Sequence, residues 1–385
     1  MIVDLHSHYP MHLLADQPAT LDLVLSTKHK SLGDTIRTLV LRLANRVSNY
    51  PGSGGAPAVT LASLKDSNVR VALSMVYAPF DEMDLGEKYG APPRPKYFAD
   101  LIQQIEMVEG SIAGHEADVT VAHNPAELRA ALAANKIALI HAVEGGFHLG
   151  DTDTTVQMNV RDLAGRGIAY ITVAHLFWRR VATNAPALPF LSDSLYSTIF
   201  RQPPLGLSDL GRAAMRAMVS SNILIDVTHM SEQAIDDTLT LLTEIDPQRG
   251  VPLIATHAAC RFGRLTYNLA DKHIEAIASR QGVIGLIACK HYMADTFGEP
   301  TKVSHTIDII CHHIDHIRTV TGSHEFTAFG SDQDGFIKPT LPGLERPAGY
   351  REVEAELVLR YGAQVAGQIC SGNARRVLEY WGRGG

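Results

Sequence analysis

The chain has 385 residues, 45% apolar and 19% charged, which is an ordinary globular balance for one large domain or two smaller ones. Its net charge of −7 and pI near 6.2 argue against a nucleic-acid or anionic-membrane surface. No apolar run reaches bilayer length, and no basic-then-apolar leader opens the sequence. Four cysteines without a Cys-x-x-Cys pair read as buried thiols of a reducing compartment, so a cytoplasmic location is expected.

The first element is a short buried strand over residues 2–6 in "MIVDLHSHYP", with His6 and His8 one residue apart at its end. A period of two turns both rings the same way. That suits a metal ion, although a polar strand end would look the same. Further β-branched apolar runs follow at 70–77, 137–144, 168–175, 223–229, 252–257, 282–288 and 326–332. Several are nearly continuous, as in strands buried on both faces of a parallel sheet. Helical patterns lie between them at 97–109, 127–134, 155–166, 208–220, 231–243, 270–280 and 304–321, with N-cap signals at Ser208 and Ser231. Two more helices are expected at 350–361 and 363–381.

Eight strands alternating with helices predict an α/β fold, a (β/α)₈ TIM-type barrel of the metal-dependent hydrolase kind. The alternative is an open doubly wound sheet, but no Gly-x-Gly-x-x-Gly follows the first strand. Residues 1–385 read as a single domain with loop excursions near 26–60 and 176–204. The Gly/Pro/Ser-rich "SNYPGSGGAP" belongs to the first of these.

The strand ends carry the chemistry. Strand one ends at His6 and His8, strand three at Glu144, strand four at His175, strand five at His229, strand six at His257 and strand eight at Asp332. A barrel would gather all of them on one rim. Taken alone, His229 or His257 reads as a packing residue, Glu144 as a loop acid and Asp332 as a turn residue. Together they read as a metal centre. Imidazoles and carboxylates without thiolates suit Zn²⁺, with Mn²⁺, Fe²⁺ or Co²⁺ as alternatives. So many ligands exceed one tetrahedral site, so two ions bridged by Glu144 are expected. Asp226 is expected to play a structural role, because alternation would turn it away from His229. His141 reads as a core or supporting residue. His312, His313 and His316 read as a solvated helix face.

The segments "VEGGFHL" (143–149), "YITVAHLFWRRVATNAP" (170–186), "LGLSDLGRAAMRAMVSSNILIDVTHMS" (205–231), "VPLIATHAACR" (251–261), "QGVIGL" (281–286) and "AFGSDQDG" (328–335) resemble the renal or membrane dipeptidase family of the amidohydrolase superfamily. The resemblance runs in order along most of the chain. It implies a two-zinc centre with His6, His8, Glu144 and Asp332 around one ion and Glu144, His229 and His257 around the other. It places His175 near the substrate carbonyl. In the mechanism it implies, one water held by both ions becomes a hydroxide that attacks the carbonyl. Asp332 passes its proton to the leaving amine, and His175 stabilises the oxyanion. A small-molecule dipeptide substrate that can include a D-residue and a homodimer are also implied. The chain departs from the family in two ways. His8 stands where members usually carry aspartate, which removes one negative charge. Tyr267 precedes Asn268 where they carry an arginine for the substrate carboxylate, so Arg261, Arg264 and Tyr267 are the substrate-binding candidates, with Arg179, Arg180 and Arg201 on the long loop beyond. Hydrolysis of N-acyl amino acids, lactams or lactones is the second reading, and an inactive metal-binding protein the third.

Overall fold

The structure is a computed structural model that describes residues 1–14, 35–37, 39–40, 56–78, 82, 89–189, 191–335 and 339–382. Its strands are β1 (Ile2–Ser7), β2 (Val69–Val76), β3 (Val119–Val121), β4 (Ile137–Glu144), β5 (Tyr170–Thr172), β6 (Leu224–Asp226), β7 (Leu253–Ala258), β8 (Val283–Leu286) and β9 (Thr327–Phe329). All pair in parallel, in the order β2-β1-β9-β8-β7-β6-β5-β4-β3. A β2–β4 ladder from Val71↔Ala138 to Val76↔Val143 closes the ring into an eight-stranded barrel. β3 is the ninth strand and was not foreseen. It pairs with Ile137, Ala138 and Leu139 at the start of β4, whose other end pairs with β5. Three residues are too few to give a periodic signal.

Both faces of these strands are buried, which is why they read as apolar runs without alternation. Leu5, Leu73, Met75, Ile140, Tyr170 and Leu224 belong to one buried cluster. Ala72, Leu139, Val143, Ile225 and Ala255 join the other, which includes helix residues such as Leu101, Val160, Met215 and Ile274. Glycine is required where strands crowd: a Cβ on Gly330 would stand 1.7 Å from the Thr256 carbonyl oxygen, and one on Gly285 1.9 Å from it.

Several strands end earlier than the sequence suggested. The expected 168–175, 223–229 and 326–332 shrink to the three-residue ladders of β5, β6 and β9. Their terminal His175, His229 and Asp332 stand on the turns beyond. Ser208 and Ser231 cap their helices, accepting from the Gly211 and Ala234 amides. Gly362, at φ +80°, interrupts the helix Tyr350–Gly367 where the two C-terminal helices were expected to divide. The second of them ends at Leu378, short of the expected 381. Most of the 26–60 excursion lies outside the described residues. The 176–204 excursion carries the helix Asp193–Ile199 and is tied back by the bridges Ala182↔Leu207 and Asn184↔Met230. Among the described residues no helix is long and apolar enough to cross a membrane, and all four cysteines are free and buried.

Candidate metal centre

Six strand ends bring their polar side chains to one point. Glu144 closes β4, and Gly145 (φ +93°) and Gly146 follow it. A side chain on Gly146 would press within 2.9 Å of the Val173 carbonyl oxygen, so the chain turns away there only because the position is glycine. Glu144 Oε1 lies 3.3 Å from His6 Nε2, 3.4 Å from His175 Nε2, 3.5 Å from His257 Nε2 and 3.6 Å from His229 Nε2. Its Oε2 lies 3.3 Å from His8 Nε2. Asp332 Oδ1 stands 3.0 Å from His8 Nε2 and 3.8 Å from His6 Nε2. The ladders shift register between Asp4 and Ser7 in β1 and between Ala255 and Ala258 in β7, beside the histidines they carry. Such irregularities re-aim side chains. His229 (φ +66°) and Asp332 (φ +54°) hold left-handed backbone, a strain found where side-chain direction outweighs comfort.

The hydrogen bonds behind the rings decide which nitrogen faces the centre. Tyr170 donates its hydroxyl to Leu5 O at 2.6 Å, so its oxygen accepts from His6 Nδ1 at 2.9 Å. Thr256 donates to Asp226 Oδ2 at 2.6 Å, so its oxygen accepts from His257 Nδ1 at 3.0 Å. Both rings therefore turn an Nε2 lone pair inward, as metal-binding histidines do. Asp226 also accepts from Thr172 and Thr228. β6 ends at Asp226, so the alternation rule does not reach His229, and the expected purely structural role gives way to that of an anchor for Thr256. Asp4 is held in the same manner by the Ser331 amide at 2.7 Å and hydroxyl at 2.6 Å.

The electrostatics call for cations. Neither Glu144 oxygen has a hydrogen-bond partner, and neither does His6 Nε2. Burial raises the Glu144 pKa, but His175 and His6 outweigh it and hold the carboxyl well below its ordinary range. Burial, reinforced by His175 for His229 and by His6 for His257, pushes those two rings well down and keeps them neutral. Their Nε2 atoms nevertheless stand 2.9 Å apart. A buried carboxylate without donors and converging lone pairs are each costly unless positive charge lies between them. The donor set of oxygen and imidazole nitrogen fits divalent ions of the zinc type.

The sequence model of the membrane dipeptidase family, peptidase family M19, matches residues 2–381. The chain belongs to that family. It is 27% identical over 266 residues to an uncharacterised dipeptidase of Schizosaccharomyces pombe and 23% identical over 285 residues to the dipeptidase tcpJ of Claviceps purpurea. Those matches cover 69% and 72% of this chain but only 58% and 59% of the relatives' own lengths. Among solved structures, the metallopeptidase dipeptidase AC superposes with a TM-score of 0.71 at 18% identity, covering 99% of this chain and 98% of its own. A Rhodobacter sphaeroides metallopeptidase, solved with a phosphinate mimic of the dipeptide L-Ala-D-Ala, gives a TM-score of 0.71 at 18% identity and 99% coverage of both chains. At that identity the likeness establishes the barrel. The family itself is one of metallopeptidases, which accords with the donor clusters around Glu144.

One residue of this family member escaped the sequence reading. Glu82 Oε2 lies 2.7 Å from His175 Nδ1 and also takes the Tyr77 hydroxyl, while its Oε1 accepts from the Phe177 amide at 3.0 Å. Burial works against a charged His175, but the carboxylates of Glu144 and Glu82 outweigh it and raise the ring to about 9. Glu82 sits in no periodic segment and no motif, so nothing local marked it.

The substrate-binding candidates are placed variously. Tyr267 is buried against the site, 5.1 Å from the His229 ring and stacked on Tyr292 at 4.0 Å, with its hydroxyl donated to His257 O at 2.7 Å. Arg261 is engaged by Glu232 and by the carbonyls of Asn268 and Thr266. Arg264 is exposed on the same loop. Arg179 is buried and donates to Glu82 O, Arg180 donates to Gly90 O at 2.6 Å, and Arg201 is exposed.

The helix histidines were expected to be solvated, and one is not. His313 is buried, accepting from the Cys260 amide at 3.0 Å on Nδ1 and donating to Met293 O at 2.9 Å from Nε2. His316 meets Asp271 at 2.7 Å and His312 stacks on Phe297. Burial lowers His313 to about 4. A ring with a depressed folded pKa contributes fully above its unfolded value of about 6.5, and the contribution is lost as pH falls toward about 4. Between about pH 7 and about pH 5 the protein should therefore lose about 2 kcal/mol through this group. Urea unfolding at both pH values should register a smaller loss for His313→Leu by that amount. Equal losses would discount the assignment.

Proposed function

We propose that the chain is a metal-dependent dipeptidase whose centre is built on Glu144 as a bridge. The observation that carries this reading is a fully buried carboxylate with both oxygens unpaired and five imidazoles turned toward it, in a member of a metallopeptidase family. On this reading His6, His8 and Asp332 hold one ion and His229 and His257 the other, with Zn²⁺ the first choice. Bound, the two ions would supply a hydroxide nucleophile near neutral pH and Lewis-acid polarisation of the scissile carbonyl.

The remaining work falls to the side chains. Asp332 takes the proton of the attacking water on its carboxylate and delivers it to the leaving nitrogen. His175, its Nδ1–H directed at Glu82, presents Nε2–H to the carbonyl oxygen as charge develops there. Tyr267 and Tyr292 form an aromatic wall beside His229 that excludes water and receives an apolar side chain. The dipeptide complex of the Rhodobacter sphaeroides protein, an L-Ala-D-Ala mimic, supports a D-residue at the second position as the first substrate to try.

A second reading, cleavage of an N-acyl amino acid, lactam or lactone, has its own support. The family resemblance puts Tyr267 where members carry the carboxylate-binding arginine, and Arg261 is already engaged by Glu232. One panel separates the two. L,L- and L,D-dipeptides, N-acyl amino acids and lactones are assayed with zinc or manganese restored and bound metal quantified. Turnover of dipeptides, led by those with a D-residue, is expected. Turnover of N-acyl substrates with no dipeptide cleaved would transfer the assignment to the second reading.

A further inference from the structure

A second constellation of ligand-type atoms lies behind the barrel wall. His141 belongs to β4, three residues before Glu144, so alternation turns it to the face opposite the metal centre. It is buried, and its Nε2 lies 2.9 Å from Glu109 Oε1 at the end of the helix Pro95–Ser111. His123, just after β3, brings its own Nε2 to 2.7 Å from the same oxygen. The three ligand atoms lie within 4.8 Å of one another.

The other side of His123 determines how this is read. Its Nδ1 stands 3.0 Å from Glu127 Oε2, the oxygen that also accepts the His123 amide at 2.9 Å. Glu127 is steadied in turn by Asn124, 2.8 Å from its other oxygen. A neutral His123 has one ring proton for two carboxylates: with it on Nδ1 toward Glu127, the Nε2 lone pair points at a Glu109 oxygen 2.7 Å away. Only a cation or a second proton between them relieves that contact. A carboxylate behind a histidine is the arrangement that orients metal-ligating rings. His141 adds a buried ring whose Nδ1 has no hydrogen-bond partner, so Nε2 toward Glu109 is its sole polar engagement. His123 and Glu127 also line an open cleft of about 1070 Å³, from which water could complete a coordination shell.

We infer that Glu109, His123 and His141 form a further divalent-cation site of the zinc type, separate from the rim centre and oriented by Glu127. Such an ion joins the end of one helix, the β3 loop and β4, adding to the β3–β4 ladder and the shared apolar cluster of Val108, Val121 and Leu139. It lies outside the barrel mouth, so its role is structural.

The test uses the full chain and zinc alone as probe. Wild type, His123→Gln and Glu127→Gln are titrated, passed through metal-free gel filtration and analysed for bound zinc. Wild type should retain about one equivalent more than His123→Gln, and Glu127→Gln should bind that equivalent about 10–100-fold more weakly. Hydrolytic activity should be the same in all three. Equal zinc in wild type and His123→Gln at every concentration would overturn the site and identify the cluster as a protonated His123 between two carboxylates. If His123→Gln does not fold, Glu127→Gln carries the test, and unchanged zinc affinity in it overturns the site equally. The rim centre does not enter this outcome. Its equivalents vanish in Glu144→Gln, whereas the extra one persists there and depends on His123.

Discussion

Glu144→Gln should abolish hydrolysis, lowering the rate by at least about 10³-fold, and should strip the rim centre of its metal. The substitution keeps the shape of the side chain and removes one charge. In the native site that charge, alone among the described residues, faces the Nε2 atoms of His6, His8, His175, His229 and His257 together, at 3.3–3.6 Å. A neutral amide neither bridges two cations nor offsets their charge in a buried setting. Because Gln fits the same space, the metal-free variant should unfold at a urea concentration close to that of the metal-free parent. Elemental analysis and an activity assay on the purified variant decide the matter. Full rim metal with activity within tenfold of wild type would remove Glu144 from the bridging role.

Asp332→Asn should reduce kcat by about 10²–10⁴-fold while changing KM little, the range expected when a proton carrier is lost. Asp332 is almost fully buried, its Oδ1 3.0 Å from His8 Nε2, and its backbone is held at φ +54°. Gly335 is needed beside it, since a side chain there would come within 2.1 Å of that oxygen. Asparagine can occupy the position but cannot accept a proton. Asp332 is also a candidate ligand, so the measurement is made under saturating zinc. A rate that excess zinc restores to within tenfold of wild type would make Asp332 a ligand alone, and another group would have to move the proton.

The residues of the centre could be read from the chain because each closes an apolar run, at the strand end or on the turn just beyond it, and such runs are written locally. Apolar runs stop abruptly at His6, Glu144, His257 and Asp332, and a parallel barrel has only one rim on which such ends can meet. The eight principal strands followed from β-branched runs too apolar to alternate. The ninth strand lacked a signal because three residues show no period. Period-two alternation stops where β6 ends at Asp226, so it does not relate the direction of Asp226 to that of His229. Helix spacing alone does not say what packs against a helix, so it does not mark His313 as buried.

What the sequence determined by itself was the barrel, the rim and the kinds of atoms on it, since these depend on patterns within single segments. The tertiary structure alone decided the rest. It brought Glu82 to His175 across 93 residues, set Tyr170 and Thr256 behind the His6 and His257 rings, engaged Arg261 with Glu232, and gathered Glu109, His123 and His141 outside the barrel. Each of these is a contact between segments distant in the chain. The direction of a lone pair or the partner of a guanidinium depends on how such segments pack, and no local pattern records it.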